Sequence, residues 1–419
     1  MRHSKPQFVS RKIQQRRKQM NSKKILSIIA SATLLTLSCM SAAQAETTIK
    51  IGFINPATGV FSVLGESARM GLGLAIERAR HNPAFKGINF VVEERDSAAK
   101  AADAIRYSRE LIQRERVDVL MGGLSSAVCL AMQKLAAEEQ IVYVNASGCW
   151  VDEFTSPENK NKYSFRVSAS NEQRNITFAK WLVDNVGKRW YVAYSDYAYG
   201  QSGFRAFKDA LASAGGEIAG SIGVPFGSTD MAAYMSKVDR SADGLYFVFA
   251  GRDAILALQE ANAQGLKEKM KFAGMQSLIV PENFPKLPEA AEGLNFIGDY
   301  PRAANGPLDT AENREFQKLF HEKFGERPVG LNAFEAYQSA NALLLAIEKS
   351  GFKGRADTDK LAAAMSGLEA PASVSFPAGP ITIRAADHQG VVPLYIGHVE
   401  GGSERVTHQI TAKEIEAIK

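Results

Sequence analysis

A short loop of glycines and hydroxyls has the chemistry of an anion-binding site. Gly122-Gly123-Leu124-Ser125-Ser126 follows an apolar run and directly precedes a helical pattern. Backbone N–H groups at a helix start are unpaired and favour negative charge, and serine hydroxyls add donors. We therefore predict a carboxylate cradle at Ser125 and Ser126. Two alternatives stay open: the serine is a plain helix cap, or it is a nucleophile, although Ala127 stands where that motif needs glycine.

Two further loops combine small polar groups with large aromatic rings. Asn145-Ala146-Ser147-Gly148-Cys149-Trp150 follows a second apolar run, and Ser195-Asp196-Tyr197-Ala198-Tyr199-Gly200 follows a third. Tyrosine combines apolar area with one hydroxyl, as the wall of a binding cleft requires. These loops predict a pocket wall, with the alternative that Trp150 only covers the core of its own half of the chain.

The elements that position these loops alternate between β-rich and helical runs, twice along the chain. Near-continuous apolar strands separated by helices predict parallel sheets covered on both faces. Ligands bind beyond the carboxyl ends of such strands, which is where the three loops lie. Strands are predicted at 49–54, 89–93, 117–121, 141–144, 190–194, 217–224, 245–249, 271–273, 379–383 and 392–399. Helices are predicted at 66–80, 98–114, 126–138, 203–214, 231–239, 252–264, 311–324, 331–349 and 357–367.

The fold predicted from this order is α/β, with two Rossmann-like lobes whose parallel sheets are joined by hinge strands. A third helical block follows two complete halves, which indicates that the chain returns to the first lobe and finally to the second. Lobe 1 is predicted to comprise residues 46–167 and 300–377, and lobe 2 residues 168–299 and 378–419. A cleft between the lobes follows from this arrangement.

Residues 1–45 have the three parts of a secretory signal peptide. Residues 1–24 contain nine Lys or Arg and no acid, an apolar run extends to about Met40, and Ala43-Gln44-Ala45 forms the cleavage site. We expect cleavage after Ala45, with Met20 as an alternative start. The chain has 50 basic and 45 acidic residues; without the nine basic leader residues, 41 remain and the net charge is −4. A nucleic-acid partner therefore loses its main support.

The order and spacing of the motifs resemble the leucine/isoleucine/valine-binding protein family, which are type I periplasmic binding proteins of ABC importers. The resemblance covers the chain after the leader. It implies a periplasmic, monomeric protein that closes on an amino acid or related small carboxylate and delivers it to an ABC permease in the inner membrane, without catalysis. It rests on Pro56-x-x-Gly59, Gly65, Gly122-x-x-Ser125-Ser126, Phe165-Arg166, Asp196-x-x-Tyr199-Gly200 and Gly298.

The resemblance also implies roles for individual residues. Ser126, with Ser125 beside it, would hold the ligand carboxylate, and Gln276 stands where amino-acid binders place a carboxylate for the ammonium group. Leu64 stands where a tyrosine would close the pocket. The resemblance thus implies an intact carboxylate-binding half at the serines, and an ammonium-binding half that Gln276 leaves without a carboxylate. The expected ligand-binding set is Ser125, Ser126, Ser147, Cys149, Trp150, Tyr199, Ala250, Arg252, Gln276 and Phe334.

Several alternatives stay open. An extracytoplasmic sensor of the same fold would signal to a membrane partner, and an enzyme would turn over its ligand. Cys129 and Cys149 are the only cysteines after the leader, and neighbouring parallel strands would bring their loops together in an oxidising compartment. Whether they are bridged is left open. The five histidines after the leader form no H-x-x-x-H or Cys/His cluster, so we expect no metal and no cofactor.

Overall fold

The structure is a computed structural model that describes residues 46–281, 283–301 and 306–418. The predicted signal peptide and its cleavage site lie outside the described residues. Within those ranges, no helix is long and apolar enough to cross a membrane.

Strands and helices alternate through most of the described chain, as the sequence predicts. The strands are β1 (Thr47–Asn55), β2 (Ile88–Asp96), β3 (Val119–Gly122), β4 (Tyr143–Asn145), β5 (Ser164–Arg166), β6 (Arg189–Asp196), β7 (Glu217–Pro225), β8 (Gly244–Val248), β9 (Lys271–Met275), β10 (Asn295–Gly298), β11 (Glu369–Ala370), β12 (Ile381–Ile383), β13 (Gly390–Val391), β14 (Leu394–Glu400) and β15 (Ser403–Ile410). The helices are α1 (Ser62–Arg80), α2 (Ala101–Glu110), α3 (Ser126–Glu139), α4 (Asn171–Asn185), α5 (Ala198–Ser213), α6 (Ala232–Met235), α7 (Gly251–Ala263), α8 (Ala311–Phe324), α9 (Leu331–Ser350), α10 (Thr358–Met365) and α11 (Ala412–Ala417).

Two large sheets and one small sheet organise these elements. The five-stranded sheet has the order β2-β1-β3-β4-β5, and β1, β3, β4 and β5 pair in parallel. The seven-stranded sheet has the order β15-β14-β10-β9-β8-β6-β7 and is parallel from β10 to β7. Its strands β14 and β15 are antiparallel additions at one edge. The third sheet, β11-β12-β13, is short and antiparallel.

Several elements differ from the predictions. Helix α2 begins at Ala101 rather than at Ala98, because Ala98 and Ala99 have φ angles of 45° and 60°, which are left-handed and cannot continue a right-handed helix. Helix α6 is shorter than predicted, and β12 lies in the third sheet. Strands β5, β10, β11, β13 and β15 and helices α4 and α11 are not predicted.

Helix α9 is buried over most of its length and packs against α1. The contact is close because α1 carries glycine: a Cβ placed on Gly71 would lie 1.9 Å from the carbonyl oxygen of Ala333. Gly73, two residues later, would meet nothing within 4 Å. Of these two glycines, only Gly71 is required by the close contact between the helices. This packing fixes the first turn of α9, which reaches the site described below.

Candidate functional site

A small cavity of about 30 Å³ lies where the segments that follow strands of the two large sheets meet. The loops follow the carboxyl ends of β1, β3, β4, β6, β8 and β9, which is the position that open parallel sheets offer to ligands. The first turn of α9 completes the wall. The lining residues are Phe61, Leu64, Leu124, Ser126, Gly148, Cys149, Trp150, Tyr197, Tyr199, Ala250, Ser277, Val280, Leu331 and Asn332.

One end of this cavity is the start of helix α3. Ser126 is buried and lines the cavity. Ser125 occupies the N-cap position, but its side chain makes no capping hydrogen bond. The first intrahelical bond runs from Cys129 N–H to the Ser125 carbonyl at 2.8 Å, so the N–H groups of residues 126–128 have no partner within the helix. This end can therefore accept an anionic group, as an uncapped helix start does.

The two glycines before Ser125 serve the fold rather than ligand approach. Gly122 and Gly123 have φ angles of 120° and 77°, which favour glycine. A Cβ would lie 2.0 Å from the Ile54 oxygen at Gly122 and 2.2 Å from the Tyr143 hydroxyl at Gly123. Asn145 Nδ2 donates to both glycine carbonyls at 3.0 and 3.1 Å. Both glycines are therefore required by close contacts with neighbouring strands.

Aromatic side chains form another part of the cavity wall. Trp150 and Tyr199 meet edge to face, with ring centroids 5.7 Å apart and planes at 68°. The hydroxyls of Tyr199 and Ser277 are 2.9 Å apart, and Ser277 donates to the Phe249 carbonyl at 2.9 Å. Because the Ser277 proton is used there, Tyr199 donates to Ser277. Burial raises the pKa of Tyr199 above its ordinary value, so this hydroxyl is neutral at physiological pH.

The loop that carries Trp150 is held from beneath by Arg166. Its Nη1 donates to the carbonyls of Cys149 and Val151 at 2.7 and 2.6 Å, and its Nε donates to Gln389 Oε1 at 2.8 Å. Arg166 is fully buried, and burial lowers its pKa to about 10, so it remains a cation at neutral pH. The arginine fixes the backbone of the wall without lining the cavity.

A buried charge cluster lies behind Trp150. Arg174 Nη2 is 2.6 Å from Asp299 Oδ1 and 3.3 Å from Glu335 Oε1, and its guanidinium carbon is 3.9 Å from the centre of the Trp150 ring. Burial and the Asp299 charge raise the pKa of Glu335 to about 8, against the opposing effects of Arg174, Gly148 and Trp150. Burial likewise raises the pKa of Asp299. The cluster is packed against the wall and lies outside the cavity.

Half of the expected ligand-binding set lies on the cavity wall. Cys149 and Trp150 contribute from the loop after β4, Tyr199 from the first turn of α5, Ala250 from the segment after β8, and Ser126 from the start of α3. The other expected residues do not line it. Ser125 and Ser147 are buried directly beside wall residues, and the Ser147 hydroxyl is buried without a hydrogen-bond partner.

Gln276, Phe334 and Arg252 have other contacts. Gln276 is 1% exposed, donates its amide to the Tyr300 carbonyl and accepts from the Tyr300 N–H at 3.3 Å. Phe334 stacks on the Tyr300 ring with centroids 4.4 Å apart. Arg252 is 47% exposed and donates to the Gly227 carbonyl at 2.9 Å. The sequence does not reveal that Tyr300 contacts both Gln276 and Phe334, or that the Gly227 carbonyl accepts from Arg252.

The two cysteines left open by the sequence are joined as a disulfide, with Cα atoms 6.1 Å apart. Cys129 lies in the second turn of α3, and Cys149 lies on the cavity wall with a left-handed φ of 55°. The bridge therefore ties the uncapped helix start to the loop that carries Trp150.

Sequence reasoning missed several wall residues. Ser277 and Val280 follow β9, and the strand-end rule applied to that strand would have found them. Leu331 and Asn332 come from the start of α9, which no local signal places at the cavity. Phe61, Leu124 and Tyr197 lie beside motifs that were recognised.

Two parallel-dominated sheets with a cavity at their converging strand ends define a class of α/β ligand-binding protein. The chain belongs to the periplasmic binding protein family, whose model matches residues 48–404. The predicted fold class and family resemblance are both confirmed by this match.

Relatives of known name agree with the assignment. The chain is 26% identical over 379 residues to the Leu/Ile/Val-binding protein homolog 6 of Brucella suis biovar 1 (strain 1330), covering 88% of this chain and 92% of the relative. It is 28% identical to the solute-binding protein of an ABC transporter from Rhodopseudomonas palustris BisB5 in complex with 3,4-dihydroxybenzoic acid, with a TM-score of 0.78, covering 88% and 98%. A leucine-binding protein from Thermotoga maritima MSB8 shares the fold at 23% identity and a TM-score of 0.75, covering 87% and 99%.

Proposed function

We propose that this chain is the periplasmic substrate-binding component of an ABC importer and that its ligand is a small aromatic carboxylate. The observation that carries the proposal is the pairing of an uncapped helix start at Ser126 with aromatic and apolar walls in one cavity. The helix start and hydroxyl suit a carboxylate, and the walls suit a ring. The protein acts by binding and lobe closure, without turnover.

The lining favours a carboxylate without an ammonium group. No described residue that lines the cavity carries a charged side chain. A buried ammonium without a carboxylate partner costs several kcal/mol even after relaxation. Glu335 contacts wall residues, but its carboxyl oxygens already accept hydrogen bonds from Trp150 and Gly148 and pair with Arg174. An amino acid would therefore leave its ammonium group unpaired.

The comparisons support both parts of the proposal. The Brucella relative is named for leucine, isoleucine and valine, whereas the Rhodopseudomonas protein holds a dihydroxybenzoic acid and belongs to an ABC transporter. The uncharged wall of the present chain favours the second of these ligand types.

The test is a thermal-shift and calorimetry screen of matched pairs. Benzoate is compared with benzamide, 3-phenylpropanoate with phenylalanine, and 4-methylpentanoate with leucine. A ligand at 100 times its dissociation constant adds about 2.7 kcal/mol to stability. We expect the aromatic carboxylates to bind and benzamide not to bind. Binding by the amino acids alone, lost when the amine is removed, would contradict the proposed ligand class.

The importer role has a separate test. Deletion of the gene should abolish uptake of the radiolabelled ligand into intact cells, and the full-length gene should restore it. Unchanged uptake, together with loss of a transcriptional response to the same ligand, would instead favour a sensor. Recovery of the bound ligand unchanged after prolonged incubation excludes turnover.

A further inference from the structure

Glu335 touches two residues of the cavity wall at once. Its Oε1 accepts a hydrogen bond from Trp150 Nε1 at 2.9 Å, and its Oε2 accepts one from Gly148 N at 2.8 Å. The carboxylate is fully buried on α9. One side chain therefore fixes both the plane of the indole and the backbone of the loop that carries it.

The same carboxylate belongs to the charge cluster that joins the two passages of the chain between the large sheets. Arg174 binds both Glu335 and Asp299, and it donates to the Ala169 carbonyl at 2.5 Å. Asp299 Oδ2 accepts from Ala169 N at 3.3 Å. Ala169 lies in the segment between β5 and α4, and Asp299 directly follows β10.

We propose that Glu335 is a positioning residue of the binding site, which sets the orientation of Trp150 and the Gly148 amide and couples them to Arg174 and Asp299 at the passages between the sheets. The proposal adds a positioning residue to the proposed binding site, and it rests on the proposed function only where a ligand is needed. It assigns to the cluster a role in affinity in addition to stability. A buried ion pair often adds little net stability, because the cost of desolvating the charges offsets their attraction. A role in positioning the wall residues therefore explains the cluster better than stability alone.

The groups that face Glu335 define its response to pH. Arg174 from α4 carries the facing positive charge, Asp299 after β10 the facing negative charge, and Tyr199 from α5 is a further titratable neighbour. The positive charge of Arg166, which lies in β5, lowers the pKa of Asp299 against the effect of burial. Because the pKa of Glu335 is raised to about 8, its ionisation near that pH should change the hydrogen bond to Trp150. The indole therefore reports the state of the carboxylate.

The first test needs no ligand. The emission spectrum of the Trp150→Phe variant is subtracted from that of the wild type between pH 6 and 9.5, which isolates Trp150. We expect the difference spectrum to titrate with a midpoint near pH 8, and the titration to vanish when Glu335→Gln is introduced into both. Asp118→Asn is the matched control, because Asp118 also accepts two backbone N–H groups, from Lys50 and Arg355, at 2.8 and 3.2 Å. It should leave the titration unchanged.

A titration that persists in Glu335→Gln would overturn the proposal, as would Trp150 difference spectra that are identical with and without Glu335→Gln at every pH. Far-UV circular dichroism of each variant checks that it is folded. A Glu335→Gln chain that fails to fold is replaced by Glu335→Asp, which retains the charge on a shorter side chain. That variant should shift the midpoint and red-shift the emission of Trp150; an unchanged spectrum and midpoint would count against positioning.

The second test is a double-mutant cycle on affinity, with the tightest carboxylate from the screen as probe. Glu335→Gln should weaken binding by about tenfold in the wild-type background, a difference of about 1.4 kcal/mol. In the Trp150→Phe background, where the indole N–H is absent, the same change should weaken binding by no more than about threefold. Equal effects in both backgrounds would overturn positioning through Trp150. If no probe binds the wild type, the proposed function fails, whereas the fluorescence test still decides the role of Glu335.

Discussion

Single residues in this site divide into those that face the cavity and those that hold them. Ser126 and Tyr199 face it, and their chemistry can be predicted from their position after an apolar run. Arg166, Arg174 and Glu335 hold the wall from outside, and their roles depend on partners far away in the sequence. Glu335, for example, lies 185 residues from Trp150, to which it is bonded. No local pattern in the sequence contains that pairing.

Gln276 shows that the sequence also does not reveal the partners of a residue expected to bind ligand. The family resemblance aligns it with a ligand-binding position, but a residue acts there only if its polar atoms are free. Tyr300 supplies both a donor and an acceptor to this amide, so its hydrogen bonds are satisfied within the protein. Sequence identifies the position of such a residue but not its competing partners.

Replacement of Ser126 by alanine should weaken ligand binding without unfolding the protein. A buried carboxylate that loses a charge-assisted hydrogen bond loses about 1–3 kcal/mol of affinity. Calorimetry with the best carboxylate measures the change. Ser350→Ala is the control, because Ser350 bonds only to its own helix, at the Ala346 and Ile347 carbonyls, and lies outside the cavity wall. An unchanged affinity in Ser126→Ala would move the anion site elsewhere.

Thermal stability should depend on pH through Glu335. A carboxyl whose folded pKa is raised from 4.5 to about 8 contributes stability that is fully present below pH 4.5 and is lost as pH rises through 8. The melting temperature of the wild type, measured from pH 5 to 9, should therefore fall relative to that of Glu335→Gln, which has no such proton to lose. Parallel melting curves for the two proteins across this range would show that the pKa of Glu335 is not raised.

At the scale of elements, the long apolar strands and the helices with regular periodicity were predictable. Strand β5 was missed because Ser164–Arg166 contains one apolar residue, whereas the equally short β4 lies in an apolar run. Helix α4 was missed although its start carries a signal: Ser170 accepts from Gln173 N at 3.1 Å and Gln173 Oε1 accepts from Ser170 N at 2.8 Å, a capping box readable as S-x-x-Q. The short third sheet depends on contacts that no local pattern predicts.

The packing of α1 on α9 predicts opposite effects for two neighbouring glycines. Gly71→Ala should destabilise the protein by about 1–3 kcal/mol, because the added methyl group meets the Ala333 carbonyl and must displace backbone. Gly73→Ala adds its methyl group to open space and should stabilise α1 by up to about 1 kcal/mol. Urea denaturation measures both. Equal effects of the two substitutions would contradict the close helix contact.

The disulfide should stabilise the chain and pre-organise the anion site. Its cysteines are 20 residues apart, for which loop closure corresponds to about 3 kcal/mol. The Cys129→Ser/Cys149→Ser double variant should lose about that much stability and also bind ligand more weakly, since Cys149 lines the cavity. A thiol titration of the denatured, unreduced protein should find no free thiol after removal of the leader. Two free thiols would show that the bridge does not form.

At the scale of the whole molecule, the order of sheets along the chain explains where the cavity lies. The chain builds the five-stranded sheet, passes to the seven-stranded sheet near Ala169, and leaves it at Asp299 to form α8 and α9. It then returns to add β14 and β15 at the sheet edge. The lobe boundaries at 167/168, 299/300 and 377/378 remain a prediction, which was based on the alternation of strands and helices along the sequence.

Closure of the two proposed lobes on the ligand is the last prediction. Trp150 contacts Tyr199, and Phe61 contacts Phe226 with ring centroids 5.4 Å apart. Each pair joins a residue that follows a strand of the five-stranded sheet to a residue that follows a strand of the seven-stranded sheet. A ligand that touches Trp150 and Tyr199 together stabilises this arrangement over an open one, because it binds the closed form with more contacts. Small-angle scattering should therefore show a smaller radius of gyration with saturating carboxylate than without it, approaching the value of about 21 Å expected for a compact chain of this length.

The Ser126→Ala variant at the same ligand concentration should remain more open. Identical scattering curves with and without ligand, under conditions where calorimetry shows full occupancy, would mean that binding does not require lobe closure.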